Sequence, residues 1–208
     1  MTAGPTREPL DDVRYLSNAS TGRMGWEVAR EARRRGARVT LLLGPSALPA
    51  LAGVRTVAVE TARDLLRAAR RHARGCDLVV FAAAPADWRP ARRARGKLKK
   101  GAGGQGLVLR LVQNPDVAAT LARSKGRRVH VGFALEVQRP LKNAIEKLSS
   151  KRFDAIVLNT PKNVGSGGGS AWWIEARQVP EQLATADKRA LARSILDRAL
   201  ALVGRAPR

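Results

Sequence analysis

Cysteine is nearly absent from this sequence of 208 residues. The single thiol, Cys76, cannot form an internal disulfide, which favours a reducing compartment and a role as a small buried apolar side chain. No run of about 18 apolar residues exists, and the opening MTAGPTREPLDD has no apolar signal segment. We therefore expect a cytoplasmic protein with no membrane partner.

Aromatic and acidic residues are also scarce. Aromatic side chains make up 4% of the chain, and 39 Lys and Arg against 17 Asp and Glu leave a formal net charge of +22. This charge attracts polyanions, so a basic nucleic-acid-binding module is one alternative function. Because aromatic side chains are few, little stacking on nucleic-acid bases is possible, and we expect only non-specific nucleic-acid binding. We expect most arginines to lie on solvated helix faces.

Common nucleotide and metal motifs are missing. The sequence has no GxxxxGK[ST] loop, no HExxH and no paired CxxC, so no metal site of protein ligands is expected. Residues 101–106, GAGGQG, match GxGxxG but precede a strand pattern instead of opening a helix, which indicates a turn. His72 and His130 fall in a predicted helix and strand, where structural roles are expected. An NAD(P)-binding or flavin-binding protein stays an alternative, because fold alone does not exclude it.

Short apolar runs rich in β-branched residues alternate with amphipathic helical patterns. The runs predict strands at 38–43, 54–59, 77–83, 107–112, 128–134, 153–159 and a shorter one at 171–176. The helical patterns cover Met24–Arg35, Ala62–Arg74, Pro115–Ser124, Pro140–Ser150 and Lys188–Val203. This alternation predicts a doubly wound, mostly parallel, Rossmann-like α/β sheet that binds ligands at the carboxyl ends of its strands.

Two loops hold candidate binding residues. Ser20, Thr21 and Gly22 run into the first helix, where a Ser20 or Thr21 cap and free backbone N–H groups make either an anion site or an ordinary N-cap loop. Asp87 follows the 77–83 strand, where it either accepts hydrogen bonds from ribose hydroxyls or lies in a plain surface turn.

The stretch KLKK at 97–100 is strongly basic. Alternation in an extended segment sends Lys97 and Lys99 to one face and Leu98 to the other. A lysine held at a reacting phosphate stabilises developing charge, whereas spacing alone favours a solvated basic hairpin.

Several short motifs occur in a fixed order that is more specific than any one of them. TAGPTREPLD (2–11), VRYLSN (13–18) and STGRMG (20–25) open the chain, and ADWRP (86–90), KLKK (97–100), NPD (114–116), GFALE (132–136) and DAIVLN (154–159) follow. Together they resemble bacterial phosphopantothenoylcysteine synthetase, the phosphopantothenate–cysteine ligase. The resemblance covers roughly residues 2–160, with a weaker tail.

The resemblance implies an ATP-grasp-independent ligase of coenzyme A biosynthesis. Such enzymes join 4′-phosphopantothenate to L-cysteine through an acyl-cytidylate and convert CTP, with Mg²⁺, to CMP and pyrophosphate. It implies a homodimer in which an extended arm, residues 88–112 here, covers the site across the dimer. The chain would be one ligase domain over 1–208 with a flexible loop at 160–171. The flavin-dependent decarboxylase domain often fused upstream is absent from the sequence, so no FMN is expected.

Position by position, the resemblance assigns two catalytic residues. Lys97 matches the lysine needed to form the acyl-cytidylate, and Asn18 matches the asparagine needed to convert it to product. Ser20, Thr21 and Gly22 would form a phosphate or substrate loop. The implied CTP-binding residues are Phe81, Ala82, Ala83, Asp87, Lys97, Pro115, Asp116, Val117, Ala118, Phe133, Lys147 and Lys151. The last two lie four residues apart on a predicted helix, so both can face the site.

The sequence departs from the family pattern in several places. Met1 directly precedes the TAG motif where the family has an apolar strand, so either the sheet lacks its first strand or the true start lies upstream. Thr160 stands where Asp is usual, and GSGGGS at 165–170 replaces an acidic turn, so we expect the last third either to bind cysteine differently or to be impaired. Milder replacements are Thr21, Arg23 and Leu135.

Overall fold

The structure is a computed structural model that describes residues 1–99, 106–159, 171–183 and 187–205. The strands in these residues are β1 Thr2–Ala3, β2 Arg7–Pro9, β3 Tyr15–Ser17, β4 Thr40–Leu43, β5 Arg55–Ala58, β6 Leu78–Phe81, β7 Trp88–Pro90, β8 Leu111–Gln113, β9 Val129–Leu135, β10 Ala155–Asn159, β11 Ala171–Glu175 and β12 Glu181–Leu183. The helices are α1 Arg23–Arg34, α2 Ala62–His72, α3 Val117–Ala122, α4 Pro140–Ser150 and α5 Lys188–Arg205. The predicted turn at 101–106 and loop at 160–171 lie outside the described residues, apart from Gly106 and Ala171.

Eight strands form one sheet in the order β12-β11-β10-β9-β6-β1-β4-β5. The strands from β10 to β5 in this order are parallel, whereas β11 and β12 are added antiparallel at one edge. The central strands β9 and β10 are buried over most of their length, as expected when both faces are covered. The predicted doubly wound, mostly parallel sheet is therefore confirmed.

Helices cover both faces of this sheet. On one face, α2, α3 and α4 pack through Leu65, Leu121 and Leu148. On the other face, α1 and α5 pack through Val28 and Ile195. Because the chain passes from β1 to β4 and β5, and then back to β6 and β9, the winding direction changes between β1 and β6. Loops diverge at such a switch point and leave a crevice at the carboxyl ends of the strands.

Local signals set the start of each helix around this crevice. Thr61 and Asp64 form a reciprocal capping box at the start of α2. Asp116 caps α3, which therefore begins two residues after the predicted start at Pro115. Pro140 occupies the first turn of α4, where its missing N–H costs nothing. None of the described helices is both long enough and apolar enough to cross a membrane.

Two expectations about strands need correction. Thr2–Ala3 forms a short strand that pairs with Leu42 and Leu43 of β4 and with Phe81 of β6. One of the two alternatives for the start of the sequence, a sheet without its first strand, is therefore wrong, because Thr2–Ala3 forms that strand over two residues. The apolar run at 107–112 was predicted as a strand, but only its end forms a strand, β8. This strand pairs with β7 in a separate two-stranded ribbon and does not join the main sheet.

The cysteine and the histidines make packing contacts. Cys76 is half-buried, not buried as predicted, because it lies in the turn after α2, where its Sγ donates to the His72 carbonyl at 3.1 Å. His130 is fully buried in β9, with its ring 5.2 Å from the Phe81 ring in an edge-on arrangement. Burial, aided by nearby Lys125 and Arg128, lowers the pKa of His130 to about 4.

Candidate functional site

A cavity of about 600 Å³ opens at the carboxyl ends of β6 and β9, beside the switch point. Its walls come from β9, the end of α4 and the loops that follow β6 and β8. Its lining includes Phe81, Ala83, Pro85, Asp87, Asn114, Pro115, Asp116, Val117, Ala118, Phe133, Lys147, Lys151 and Phe153. Ten of the twelve predicted CTP-binding residues line this cavity, whereas Ala82 and Lys97 do not.

One side of the cavity is aromatic because a glycine leaves room for a ring. Gly132 lies in β9 between Phe81 of β6 and Ile156 of β10. A Cβ at this position would lie 2.3 Å from Cε2 of Phe153, so the ring rests directly on the Gly132 backbone. The Phe153 and Phe81 rings are 5.5 Å apart. These two buried rings form the apolar wall of the cavity.

Lys151 and Asp116 form an ion pair on the cavity wall. Asp116 Oδ1 accepts from the Ala119 backbone N–H at 2.9 Å, and Asp116 Oδ2 lies 3.0 Å from Lys151 Nζ. Burial raises the pKa of Asp116, but these hydrogen bonds outweigh it and hold that pKa below its usual value. Asp116 is therefore ionised at neutral pH and offsets the charge of Lys151.

Lys147 is held in the same way by a residue outside the cavity lining. Its Nζ donates to Glu136 Oε1, and the Asn143 side-chain amide donates to Glu136 Oε2 at 3.1 Å. Burial raises the pKa of Glu136, but the hydrogen bonds from Lys147 and Asn143 outweigh burial and hold that pKa below its usual value. Lys147 and Lys151 both line the cavity, as their spacing of one helical turn predicts.

Asp87 is exposed at the cavity, and its backbone is fixed by Asn114. The Asn114 N–H donates to the Asp87 carbonyl at 2.7 Å, and its side-chain amide donates to the Ala86 carbonyl at 2.9 Å. Arg89 donates to the Asn114 side-chain carbonyl at 3.2 Å. These bonds hold the Asp87 backbone in place while its carboxylate stays open to a ligand.

Asn18 contacts the loop at residues 84–87, which carries Asp87. Its side-chain amide donates to the carbonyls of Pro85 at 2.9 Å and Ala84 at 3.3 Å. Pro85 lines the cavity, so Asn18 borders it although it does not line it. The structure thus brings Asn18 against the 84–87 loop that carries Asp87, although the two residues are 69 positions apart in the sequence.

The predicted cap at Ser20 or Thr21 is wrong. Gly22 is the N-cap of α1 in a left-handed conformation (φ 75°), and a Cβ there would meet Gly4 backbone atoms at 2.9 Å. The hydroxyls of Ser20 and Thr21 instead accept from the N–H groups of Gly22 and Arg23, each at 3.3 Å. Glycine is required because the helix start packs against the loop after β1. Ser20, Thr21 and Gly22 do not line the cavity.

Lys97 is exposed and lies outside the cavity of its own chain. The neighbouring Leu98 is held by the loop after β2, since its N–H donates to Asp11 Oδ2 at 3.0 Å and its carbonyl accepts from Arg14 at 2.7 Å. Arg14 also holds the pKa of the buried Asp11 carboxyl well below its usual range. Leu98 is half-buried, while Lys97 and Lys99 are exposed, which confirms the predicted alternation.

Several residues that support the site were not predicted from the sequence. Asn114 and Glu136 stand in the NPD and GFALE motifs, and a polar residue just after a predicted strand was a usable signal for both. Asp11 gave no such signal, because its partner Leu98 is 87 positions away. Phe153 was hidden as well, since only the missing side chain of Gly132 makes room for its ring.

Metal ligands of the protein do not gather at this site. Within the four described ranges, no three His, Cys, Asp or Glu side chains lie close enough together to hold a metal ion. The two carboxylates of the lining are Asp87 and Asp116, and Asp116 is already paired with Lys151. A divalent cation would therefore need oxygen ligands from a bound substrate.

Comparison with known proteins identifies the family. Residues 1–202 match the family described as DNA/pantothenate metabolism flavoprotein C-terminal domain. A relative from Vibrio vulnificus (strain YJ016), named coenzyme A biosynthesis bifunctional protein CoaBC, is 36% identical over 98% of this chain and 52% of its own length. A protein from an unknown prokaryotic organism, named cysteine/cysteine sulfinic acid decarboxylase, is 42% identical over 81% of this chain and 47% of its own length.

A solved structure agrees with these matches. The crystal structure of the C-terminal domain of a CoaBC protein superposes with a TM-score of 0.82 at 33% identity, over 97% of this chain and 93% of that one. The chain spans about half the length of the curated relatives it matches. The resemblance predicted from the motifs is confirmed, and the chain belongs to the family of DNA/pantothenate metabolism flavoprotein C-terminal domains.

Proposed function

We propose that this protein joins 4′-phosphopantothenate to L-cysteine at the expense of CTP, which becomes CMP and pyrophosphate. The observation that carries the proposal is the cavity at the switch point, where Lys147, Lys151 and Asp87 meet beside Asn18. Family membership and the CoaBC relatives favour this reaction over nucleic-acid binding and over NAD(P) or flavin binding.

The proposed chemistry has two steps. A carboxylate oxygen of phosphopantothenate attacks the α-phosphorus of CTP, a new P–O bond forms, and pyrophosphate leaves. The cysteine amine then attacks the acyl carbon, loses a proton and displaces CMP. We assign Lys97 to the charge that develops on the phosphates in the first step, and Asn18 to the acyl-cytidylate consumed in the second.

The charge of the cavity supports a site completed by further cations. Its lining carries two acidic side chains, Asp87 and Asp116, and two lysines, Lys147 and Lys151, so the formal charges of the lining sum to zero. A triphosphate carries several negative charges and needs more positive charge than this. Mg²⁺ held by phosphate oxygens supplies part of it, and Lys97 supplies more.

The arm at residues 88–112 supports a homodimer. Trp88, Leu107 and Val108 are large apolar side chains that stand 49%, 60% and 95% exposed. Large apolar side chains left exposed in this way favour a protein contact. In the proposed dimer these residues are covered by a second copy, and the arm brings Lys97 to the cavity of that copy.

The test is substrate dependence. Purified protein with Mg²⁺ is given CTP, 4′-phosphopantothenate and cysteine, together and with each omitted, and CMP, pyrophosphate and the amide are measured. The proposal predicts pyrophosphate only when CTP and phosphopantothenate are both present, and amide only when cysteine is added. Folded protein that yields no pyrophosphate from the full mixture would contradict it. Release of CO₂ from cysteine alone would favour the activity named for the decarboxylase relative.

A further inference from the structure

A buried polar pair, Thr6 and Glu8, contacts the 84–87 loop, which carries Asp87 and accepts hydrogen bonds from Asn18. Thr6 is 1% exposed and Glu8 is 2% exposed. The Ala86 N–H donates to Thr6 Oγ1 at 2.9 Å, and Thr6 Oγ1 donates to Glu8 Oε1 at 3.1 Å. Glu8 Oε1 also accepts from the N–H of Ala62, the first residue of α2, at 2.8 Å. The start of α2 is thereby connected to the residue before Asp87.

The direction of these hydrogen bonds is fixed by chemistry. A hydroxyl has one proton, so Thr6 Oγ1, which donates that proton to Glu8 Oε1, can only accept from the Ala86 N–H. The carboxylate is placed favourably at the N-terminus of α2, where free N–H groups and the helix dipole attract negative charge. Glu8 therefore orients the Thr6 hydroxyl, and the hydroxyl anchors Ala86.

Thr6 is also tied to the segment that bears Asn18. The hydroxyl of Ser17 donates to the Thr6 carbonyl at 2.7 Å, and the Asn18 amide next in the chain donates to Pro85 and Ala84. Thr6 thus contacts both the 84–87 loop, to which Asn18 donates, and Ser17, the residue before Asn18. Neither contact reaches the lysines or the aromatic side of the cavity.

We propose that Thr6, oriented by Glu8, is a positioning residue that holds Asn18 and the 84–87 loop in register for reaction. The inference rests on the proposed function. Asn114 anchors the Ala86 and Asp87 carbonyls independently, so loss of the Thr6 hydroxyl disturbs Asn18 and its loop more than the nucleotide wall. Turnover should therefore fall while the KM for CTP changes little.

The test compares four variants in steady-state formation of the amide product. Thr6→Val keeps the shape and removes the hydroxyl, and Thr6→Ser restores the hydroxyl. Ser17→Ala removes the hydrogen bond from the Ser17 hydroxyl to the Thr6 carbonyl, at an exposed position where the substitution does not endanger folding. Ile195→Val, a core change in α5 on the opposite face, controls for general loss of stability.

We expect Thr6→Val to lower kcat by about tenfold to a hundredfold, because small misplacements of reacting groups have effects of this size. Thr6→Ser and Ile195→Val should stay within about threefold of wild type, Ser17→Ala should lower kcat by about threefold to tenfold, and the KM for CTP should change less than about threefold throughout. A wild-type kcat in both Thr6→Val and Ser17→Ala, or equal losses in Thr6→Val and Ile195→Val, would overturn the inference alone. Absence of product from the wild type would overturn the proposed function and this inference with it. If Thr6→Val does not fold, Ser17→Ala against Ile195→Val decides.

Discussion

Replacing Gly132 with alanine tests whether the aromatic side of the cavity depends on a missing side chain. The new Cβ would lie 2.3, 2.5 and 2.8 Å from Cε2, Cδ2 and Cζ of Phe153. Ordinary contact begins near 3.4 Å, so the ring has to retreat by about 1 Å into the cavity it lines. Overpacking of a buried core typically costs about 1–3 kcal/mol, and we expect Gly132→Ala to lower the free energy of unfolding by that amount.

The assay is equilibrium urea unfolding of Gly132→Ala, Phe153→Leu and the double variant. Leucine lacks Cε2 and Cζ, two of the three ring atoms that clash, so the two losses should not add, with a coupling of about 0.5–3 kcal/mol. Gly204→Ala is the matched control, because a Cβ there meets nothing within 4 Å and the site is in α5, where alanine is favoured. Strict additivity, or a Gly132→Ala protein as stable as wild type, would refute the packing argument.

Three further predictions concern charge and chemistry. Lys97→Met should lower pyrophosphate release by at least about a hundredfold, whereas Lys99→Met should change it less than about threefold; equal losses would contradict a specific role for Lys97. Asn18→Ala should release pyrophosphate in a burst while CMP appears at least about tenfold more slowly, and loss of the burst would contradict its assignment to the second step. The folded-state pKa of His130, about 4, lies below its ordinary 6.5, so its contribution to stability is complete above pH 6.5 and is lost as pH falls toward 4. The free energy of unfolding should drop by up to about 3 kcal/mol over that range, and a wild-type drop retained in His130→Leu would assign it to other groups.

Much of the fold could be predicted because its signals are local. The period-2 and 3.6-residue patterns located six of the eight strands of the main sheet, but not β1 or β12. They also located helices such as Pro140–Ser150, whose observed bounds equal the predicted ones. The candidate site residues were assigned from the family resemblance, and ten of the twelve predicted CTP-binding residues line one cavity. The misplaced cap shows the limit of this reasoning. Ser20 and Thr21 have the right chemistry for an N-cap, but the close approach of Gly4 leaves room only for Gly22.

The rest depends on contacts between distant parts of the chain. Nothing near Thr6 indicates that its hydroxyl meets Ala86, which is 80 positions away. The brief first strand is another example, because two residues, Thr2 and Ala3, suffice only where β4 and β6 already flank them. Local pattern could not anticipate either contact, since each is formed only when the sheet brings its strands together.

In the proposed reaction, a carboxylate oxygen of 4′-phosphopantothenate attacks the α-phosphorus of CTP at the cavity beside Asn18 and Asp87. It can be tested with substrate labelled with ¹⁸O in that carboxylate, turned over with CTP, Mg²⁺ and cysteine, followed by mass spectrometry of the products. We expect one labelled oxygen in CMP, none in pyrophosphate, and the remaining label in the amide. Unlabelled CMP, or label released in inorganic phosphate together with CDP, would contradict it.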